Sequence, residues 1–164
     1  MEIRRAVASD KAAIAAVGCR AWISAFSRFE PEANGPGVGE RTEKVFRSFA
    51  DDFYPQILLA ETAGVILGWG ARDTNADYIS DLWIDPAFHR RGIGLTLMDA
   101  LLAEIVLSGY ATARIETHAR NLPAIRLYER CGFEVVWRGE GWSDSLGREI
   151  EKVRMEAPLD ERFR

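Results

Sequence analysis

The segment Gly92 to Leu107, GIGLTLMDALLAEIVL, constrains the fold more than any other part of the chain. Leu97, Leu101, Leu102 and Ile105 recur at i, i+4, i+5 and i+8, the spacing of one helix face. Met98 joins them, which makes the predicted helix a core element. Gly109 supplies its stop. Two predicted strands bracket it: residues 78–84 (YISDLWI), ended by Asp85-Pro86, and residues 111–117. A strand–helix–strand unit implies parallel pairing somewhere in the sheet.

The remaining pattern adds antiparallel pairing. Residues 56–61 and 65–72 flank Thr62-Ala63-Gly64, a hairpin-sized gap. Residues 2–7 read as a first strand. The helix after it has Ser9 or Asp10 placed to cap it, carries Ile14, Val17, Ala21 and Trp22 at helical spacing, and ends before Glu30-Pro31. Residues 31–40 read as a loop, and 40–50 as a second helix with Val45, Phe46 and Phe49 on one face. A helix over 122–130 and strands over 133–138 and 149–155 complete the chain, with the turn-rich WSDSLG before the last strand. The expected fold is α/β, a mixed sheet with helices on both faces.

Several function classes are disfavoured. The 164 residues fit a single domain, residues 1–164. A net charge of −4 argues against nucleic acid, whose phosphates need clustered Lys and Arg. Cys19 and Cys131 form no Cys-x-x-Cys pair and the two histidines no ligand cluster, so no metal site is expected. No stretch approaches the roughly 20 apolar residues of a membrane span, and no apolar leader is seen, so the expectation is a cytoplasmic protein without membrane partners.

The joint between the third strand of this middle region and the long helix reads Asp85-Pro86-Ala87-Phe88-His89-Arg90-Arg91-Gly92-Ile93-Gly94. Two glycines at a helix entrance let a ligand approach the backbone. The first helical N–H groups have no internal partner and carry the positive end of the dipole, which suits phosphate. Arg90 and Arg91 add charge. The loop lacks the Gly-Lys-Ser/Thr of an NTPase and the third glycine of a dinucleotide fingerprint.

Downstream, Asn121-Leu122-Pro123-Ala124-Ile125-Arg126-Leu127-Tyr128-Glu129-Arg130-Cys131-Gly132-Phe133 reads as a short helix. Asn121 is its N-cap, Pro123 lies in its first turn and Gly132 is its stop. Together, HRRGIG and N-x-x-A-x-x-L-Y-E-x-x-G-F resemble the two core motifs of the GNAT superfamily of N-acetyltransferases. His89 departs from that family's Gln or Arg. The resemblance covers roughly residues 3 to 157 and is most specific from Ile79 to Phe133.

The resemblance implies a mostly antiparallel sheet of about seven strands with a splayed strand pair, and acetyl-CoA as cosubstrate. It implies that Leu82, Trp83 and Ile84 pair with the pantetheine arm, that Arg90, Arg91, Gly92, Ile93, Gly94 and Leu95 cradle the pyrophosphate, and that Asn121 binds the cofactor near its acetyl end. Tyr128 would face the sulfur as the acid. Glu116, five residues before Asn121, resembles the base of the subgroup that acetylates protein N-termini, including ribosomal-protein alanine acetyltransferases. Asp81 is its rival, pointing with Ile79 and Trp83 if the strand alternates regularly. His118, on the face of Glu116, is a weaker proton relay. Trp142 and Asp144 either line the acceptor mouth or sit in a solvated hairpin.

The expected reaction is direct attack by a peptide or protein N-terminus, or a small amine, on the thioester in a ternary complex. The alternative is a non-catalytic acetyl-CoA-binding regulatory module. A homodimer is a further implication of the resemblance.

Overall fold

The computed structural model describes residues 1–73 and 77–159. Seven strands form one sheet: β1 (Glu2–Arg5), β2 (Ile57–Thr62), β3 (Val65–Arg72), β4 (Tyr78–Ile84), β5 (Thr112–His118), β6 (Glu134–Ser143) and β7 (Arg148–Pro158). Their spatial order is β1-β2-β3-β4-β5-β7-β6. Every neighbouring pair is antiparallel except β4 and β5. This is the mixed, mostly antiparallel α/β sheet expected from the sequence.

Helices cover both faces. α1 (Lys11–Phe26) and α2 (Val38–Phe53) lie on one. Their Ile14, Val17, Trp22, Phe26 and Phe46 close on Ile57, Leu59 and Trp69 of the sheet. The Trp69 indole donates to the Ile14 carbonyl at 3.0 Å, so even the largest buried ring is satisfied. α3 (Ile93–Leu107) and α4 (Leu122–Arg130) lie on the other. Leu97, Met98, Leu101, Leu102 and Ile105 of α3 are all fully buried, against Ile79, Ala113, Ile115 and Met155. Each such side chain contributes about 1.5–3 kcal/mol on leaving water, which makes α3 the anchor of this layer.

Several details differ from the sequence reading. The predicted loop 31–40 contains a 3-10 turn over Pro31–Asn34, and α2 already starts at Val38. β6 runs on to Ser143, five residues past its expected end. Asp10 does not cap α1: its carboxylate turns back to the Val7 amide at 2.8 Å and to both terminal nitrogens of Arg4 at 2.8 and 3.1 Å. A charged partner on β1 outcompetes the helix end for that carboxylate.

Candidate active site

The parallel pairing of β4 with β5 is confined to Tyr78 with Arg114 and Ile79 with Ile115. Beyond Ile79, β4 pairs only with β3, and the end of β5, Glu116 to His118, pairs only with β7. A wedge therefore opens in mid-sheet, and the β5-facing backbone of Ser80 to Ile84 has no strand beside it. The wedge begins at a bulge. In the β3 ladder, Ala71 faces Asp81 while Arg72 faces Ile79, so Ser80 is the extra residue.

The bulge also corrects the expected orientation of Asp81. Ile79 packs in the α3–α4 core, as do Leu82 and Ile84. Trp83 packs on the α1–α2 side, edge-on to Phe46 at 5.3 Å. Asp81 lies with Trp83, accepting its indole N–H at 2.9 Å. Regular alternation would have put Ile79 and Asp81 on one face, but one inserted residue reverses the parity. Burial pushes the Asp81 carboxyl above its ordinary range, against the pull of the Trp83 and Ser80 hydrogen bonds.

The glycine loop meets α3 at the open end of this wedge. Gly92 is the N-cap in the left-handed region, φ 77°, and Arg90 is left-handed too, φ 61°. The first helical bond runs from the Thr96 amide to the Gly92 carbonyl at 3.1 Å. The amides of Ile93, Gly94 and Leu95 thus have no partner inside the helix. A Cβ on Gly92 would meet nothing within 4 Å, so the space over this turn is open. Alternating left-handed residues with outward amides form an anion-binding concavity.

Gly94 also serves packing. A Cβ there would lie 3.1 Å from Leu127, so its bareness lets α4 pack close to α3. Arg91 stacks on Phe88 at 5.3 Å, and His89 meets the Ile84 carbonyl at 3.1 Å, tying the loop to the end of β4. Asp85 anchors the same loop to α1 through Arg20 at 2.5 Å and caps the turn through the Ala87 amide at 3.0 Å. Burial alone would raise the Asp85 carboxyl, but these two partners hold it below its usual range.

α4 begins at Asn121, whose side chain accepts from the Ala124 amide at 3.5 Å and donates to Thr117 on β5 at 3.3 Å. This is the expected cap, and it links α4 to the strand that borders the wedge. Tyr128 is buried on the α3–α4 side, its ring 6.1 Å from Phe133. Burial first, then the charges of Asp81 and Tyr78, pushes its phenol above the ordinary value.

Glu116 faces Arg154 across the β5–β7 ladder. Nε and a terminal nitrogen of Arg154 both contact Glu116 Oε1 at 2.9 Å. The Arg154 guanidinium in turn sits 5.3 Å from the Trp137 ring centre. Tyr78 feels both carboxylates of the site: its phenol is raised by burial, then by the charges of Glu116 and Asp81. The sequence reading overlooked Tyr78. Only the bulge two residues later, which turns Asp81 to the face of Tyr78, makes it a neighbour of both carboxylates.

His118 is a structural tie. It is 3% exposed, and Nδ1 accepts the Arg120 amide at 3.0 Å. Nε2 therefore carries the hydrogen that goes to Glu30 Oε1 at 2.6 Å. Glu30 Oε2 takes Arg148 at 2.7 Å. This chain pins the α1–α2 connection to β5 and β7. Trp142, 55% exposed, lies in β6 and donates to Asp144 at 3.0 Å. Burial pushes the Cys131 thiol up to about 11, which leaves it protonated and unreactive. Among the described residues no cluster suits a metal ion, and no helix is long and apolar enough to cross a membrane.

Comparison with known proteins bears on this geometry. Residues 20–133 match the acetyltransferase (GNAT) family. The [ribosomal protein bS18]-alanine N-acetyltransferase of Escherichia coli is 36% identical over 77 residues, 46% of this chain and 51% of that protein. The chain thus spans about half the length of the curated relatives it matches. Among solved structures, a GCN5-related N-acetyltransferase from Rhodopseudomonas palustris superposes with a TM-score of 0.77 at 20% identity, over 96% of this chain and 95% of that one. Salmonella typhimurium yncA, solved with its cofactor acetyl-CoA, gives 0.66 at 24% identity, over 98% and 95%. At these identities the two structures establish a common fold.

Proposed function

This chain belongs to the GNAT acetyltransferase family, and on that footing we propose that it transfers an acetyl group from acetyl-CoA to the α-amine of a peptide or protein. The observation that carries the reading is the coincidence of two features at one end of the sheet: the unpaired edge of β4 and the outward amides of the α3 turn. The residues fit coenzyme A. The left-handed turn at Arg90 and Gly92 offers an open, positively polarised concavity for a pyrophosphate. The wedge offers a strand edge, Leu82 to Ile84, to an extended amide-bearing arm.

Bound acetyl-CoA supplies a thioester carbonyl for attack by the amine. The residues of this chain do the rest. A β4 amide facing the wedge stabilises negative charge on the carbonyl oxygen. Tyr128, whose phenol stays protonated well past neutral pH, hands its proton to the departing sulfur. Glu116 accepts the amine proton, directly or through water. Arg154 fixes the carboxylate through Oε1 and leaves Oε2 for that proton. Asn121 orients the acetyl end from the start of α4. The whole of residues 1–164 acts as one catalytic domain, working in the cytoplasm.

A peptide acceptor is favoured over a small amine by two supports. The curated relative acetylates a ribosomal-protein alanine, and the Glu30–His118–Arg148 chain holds the α1–α2 connection as a firm wall beside the wedge. The test is incubation with acetyl-CoA and two panels, free-N-terminus peptides and small amines, read by mass spectrometry. Acetylated peptides support the reading. Acetylation confined to small amines replaces the acceptor, and tight cofactor binding with no product on either panel replaces the enzyme with a binding module.

A further inference from the structure

Beyond Glu116 the sheet continues through β7 to β6. Arg154 stands between Glu116 and Trp137 in the two ladders, and Lys152 between His118 and Gly139. Paired residues share a face, so Glu116, Arg154, Lys152 and Trp137 point to one side of the sheet. It is the side of Trp83, because Val153 and Met155, which alternate with Lys152 and Arg154, pack in the α3–α4 core. Two glycines of β6 keep this patch flat. A Cβ on Gly139 would lie 2.4 Å from the Trp137 ring, and one on Gly141 would lie 2.9 Å from the Lys152 side chain. The indole therefore lies along β6 over Gly139, and the Lys152 stem crosses over Gly141. The Arg154 guanidinium sits over the indole, 5.3 Å from its centre. Trp137 is 39% exposed and the Arg154 side chain 41%, so the patch is open beside the base.

Its charges are not balanced. Glu116 takes only one edge of the guanidinium, Nε and Nη2. Nη1 has no hydrogen bond or ion pair among the described residues. With the second hydrogen of Nη2 it forms another fork, the planar geometry that holds a carboxylate through both oxygens. Lys152 also has no ion pair among the described residues. The carboxylates nearby are engaged: Glu30 with His118 and Arg148, Glu32 with Arg148, and Glu116 with Arg154. Two cations beside Glu116 thus leave room for one more carboxylate. The net charge of −4 opposes this only weakly, because charges are screened beyond about 8 Å at physiological salt.

We infer that Arg154 and Lys152 select acceptor peptides with an acidic side chain at the second or third residue, an inference that rests on the peptide reading above. Lys152 lies two residues along β7 from Arg154, about 7 Å away at about 3.4 Å per residue. An extended peptide advances by the same step, so with its amine at Glu116 its second and third residues fall beside the two cations. The acidic side chain closes on the free fork of Arg154, and Lys152 balances the second negative charge brought to the site. Trp137 shields one face of that fork from water, which strengthens the pairing. Glu116 keeps its own edge of the guanidinium, so the base is not displaced.

The test uses the full chain and three short peptides beginning Ala-Glu-Glu, Ala-Gln-Gln and Ala-Lys-Lys. Their N-acetylated, C-terminally labelled forms report binding by fluorescence anisotropy with saturating coenzyme A, which needs no turnover. Their free-amine forms report acetyl transfer by mass spectrometry. The acidic peptide should bind about tenfold tighter than the lysine peptide, with the glutamine peptide between them. Lys152→Gln should narrow that gap about threefold, Lys152→Glu should close or reverse it, and salt near about 1 M should shrink it. Equal binding of the acidic and lysine peptides, no binding of the acidic peptide, or a preference that survives Lys152→Glu overturns the inference. Acetylation of all three peptides alike would then leave the peptide reading standing. A binding preference that Lys152→Glu abolishes, with no acetylation of any peptide, upholds the acidic-peptide site and removes that reading instead.

Discussion

Glu116 and Arg154 stand directly opposite each other on β5 and β7, joined through a single carboxylate oxygen at two distances of 2.9 Å. The arginine holds Glu116 in place, while Asp81 across the wedge is pushed toward protonation by burial. Two carboxylates with opposite environments thus flank the same opening. Different environments are how one site assigns different tasks to like groups.

Replacing each carboxylate separates those tasks. Glu116→Gln lowers kcat by about 10²- to 10⁴-fold if Glu116 is the base. Asp81→Asn lowers it far less, because a neutral amide still accepts the Trp83 indole N–H. Steady-state kinetics with saturating acetyl-CoA check both. The reverse order moves the base to Asp81, and the acid limb of the rate profile should then lie higher in pH than an ordinary carboxylate.

Tyr128→Phe removes the proposed acid while keeping the ring against Phe133. The expected loss is about 10²-fold in kcat, with little change in acetyl-CoA binding. The pH dependence has a definite sign. The acid must be protonated to act, and burial raises its pKa above the ordinary phenol value. Activity therefore shows no decline from Tyr128 ionisation up to about pH 10. A pH–rate profile falling well below that point, and absent in Tyr128→Phe, contradicts the assignment.

Acid stability depends on the turn before α1. Arg4 holds the Asp10 carboxyl below its usual range through their hydrogen bonds, with the Val7 amide helping against burial. A depressed carboxyl stabilises the fold above the unfolded value of about 3.9, and that contribution is lost as pH falls through the lower folded value. Asp10→Asn should cost about 1–3 kcal/mol at neutral pH. The gap to wild type should shrink as pH drops below about 4, in denaturant titrations at a series of pH values.

Much of this was legible in the sequence, for stated reasons. The all-apolar run of α3, the strand pattern and the caps at Asn121 and Gly132 are local signals, and the structure keeps them. The amides of the glycine loop were legible because helix starts always leave donors free. What escaped was non-local. The bulge at Ser80 has no mark in YISDLWI, yet it reverses the face of Asp81. The packing role of Gly94, whose bareness admits Leu127, 33 positions on by residue number, is likewise unmarked in the sequence. The end of β6 was cut short because Gly139 and Gly141 break the alternation by which strands are recognised. Glu30 and His118 meet across 88 positions, and no spacing rule connects them.

The most direct measurement of the central claim is thermal unfolding with and without acetyl-CoA for the wild type, Gly92→Asn and Gly92→Asp. Asparagine tolerates the left-handed turn and stays neutral, and aspartate has nearly the same shape but sets a negative charge where the pyrophosphate would lie. At a hundredfold excess of ligand over its dissociation constant, binding adds about 2.7 kcal/mol of stability. The account predicts an upward shift for the wild type, most of that shift for Gly92→Asn, and almost none for Gly92→Asp. An equal shift in the wild type and Gly92→Asp, or no shift in a folded wild type, contradicts a cofactor seat at the α3 turn.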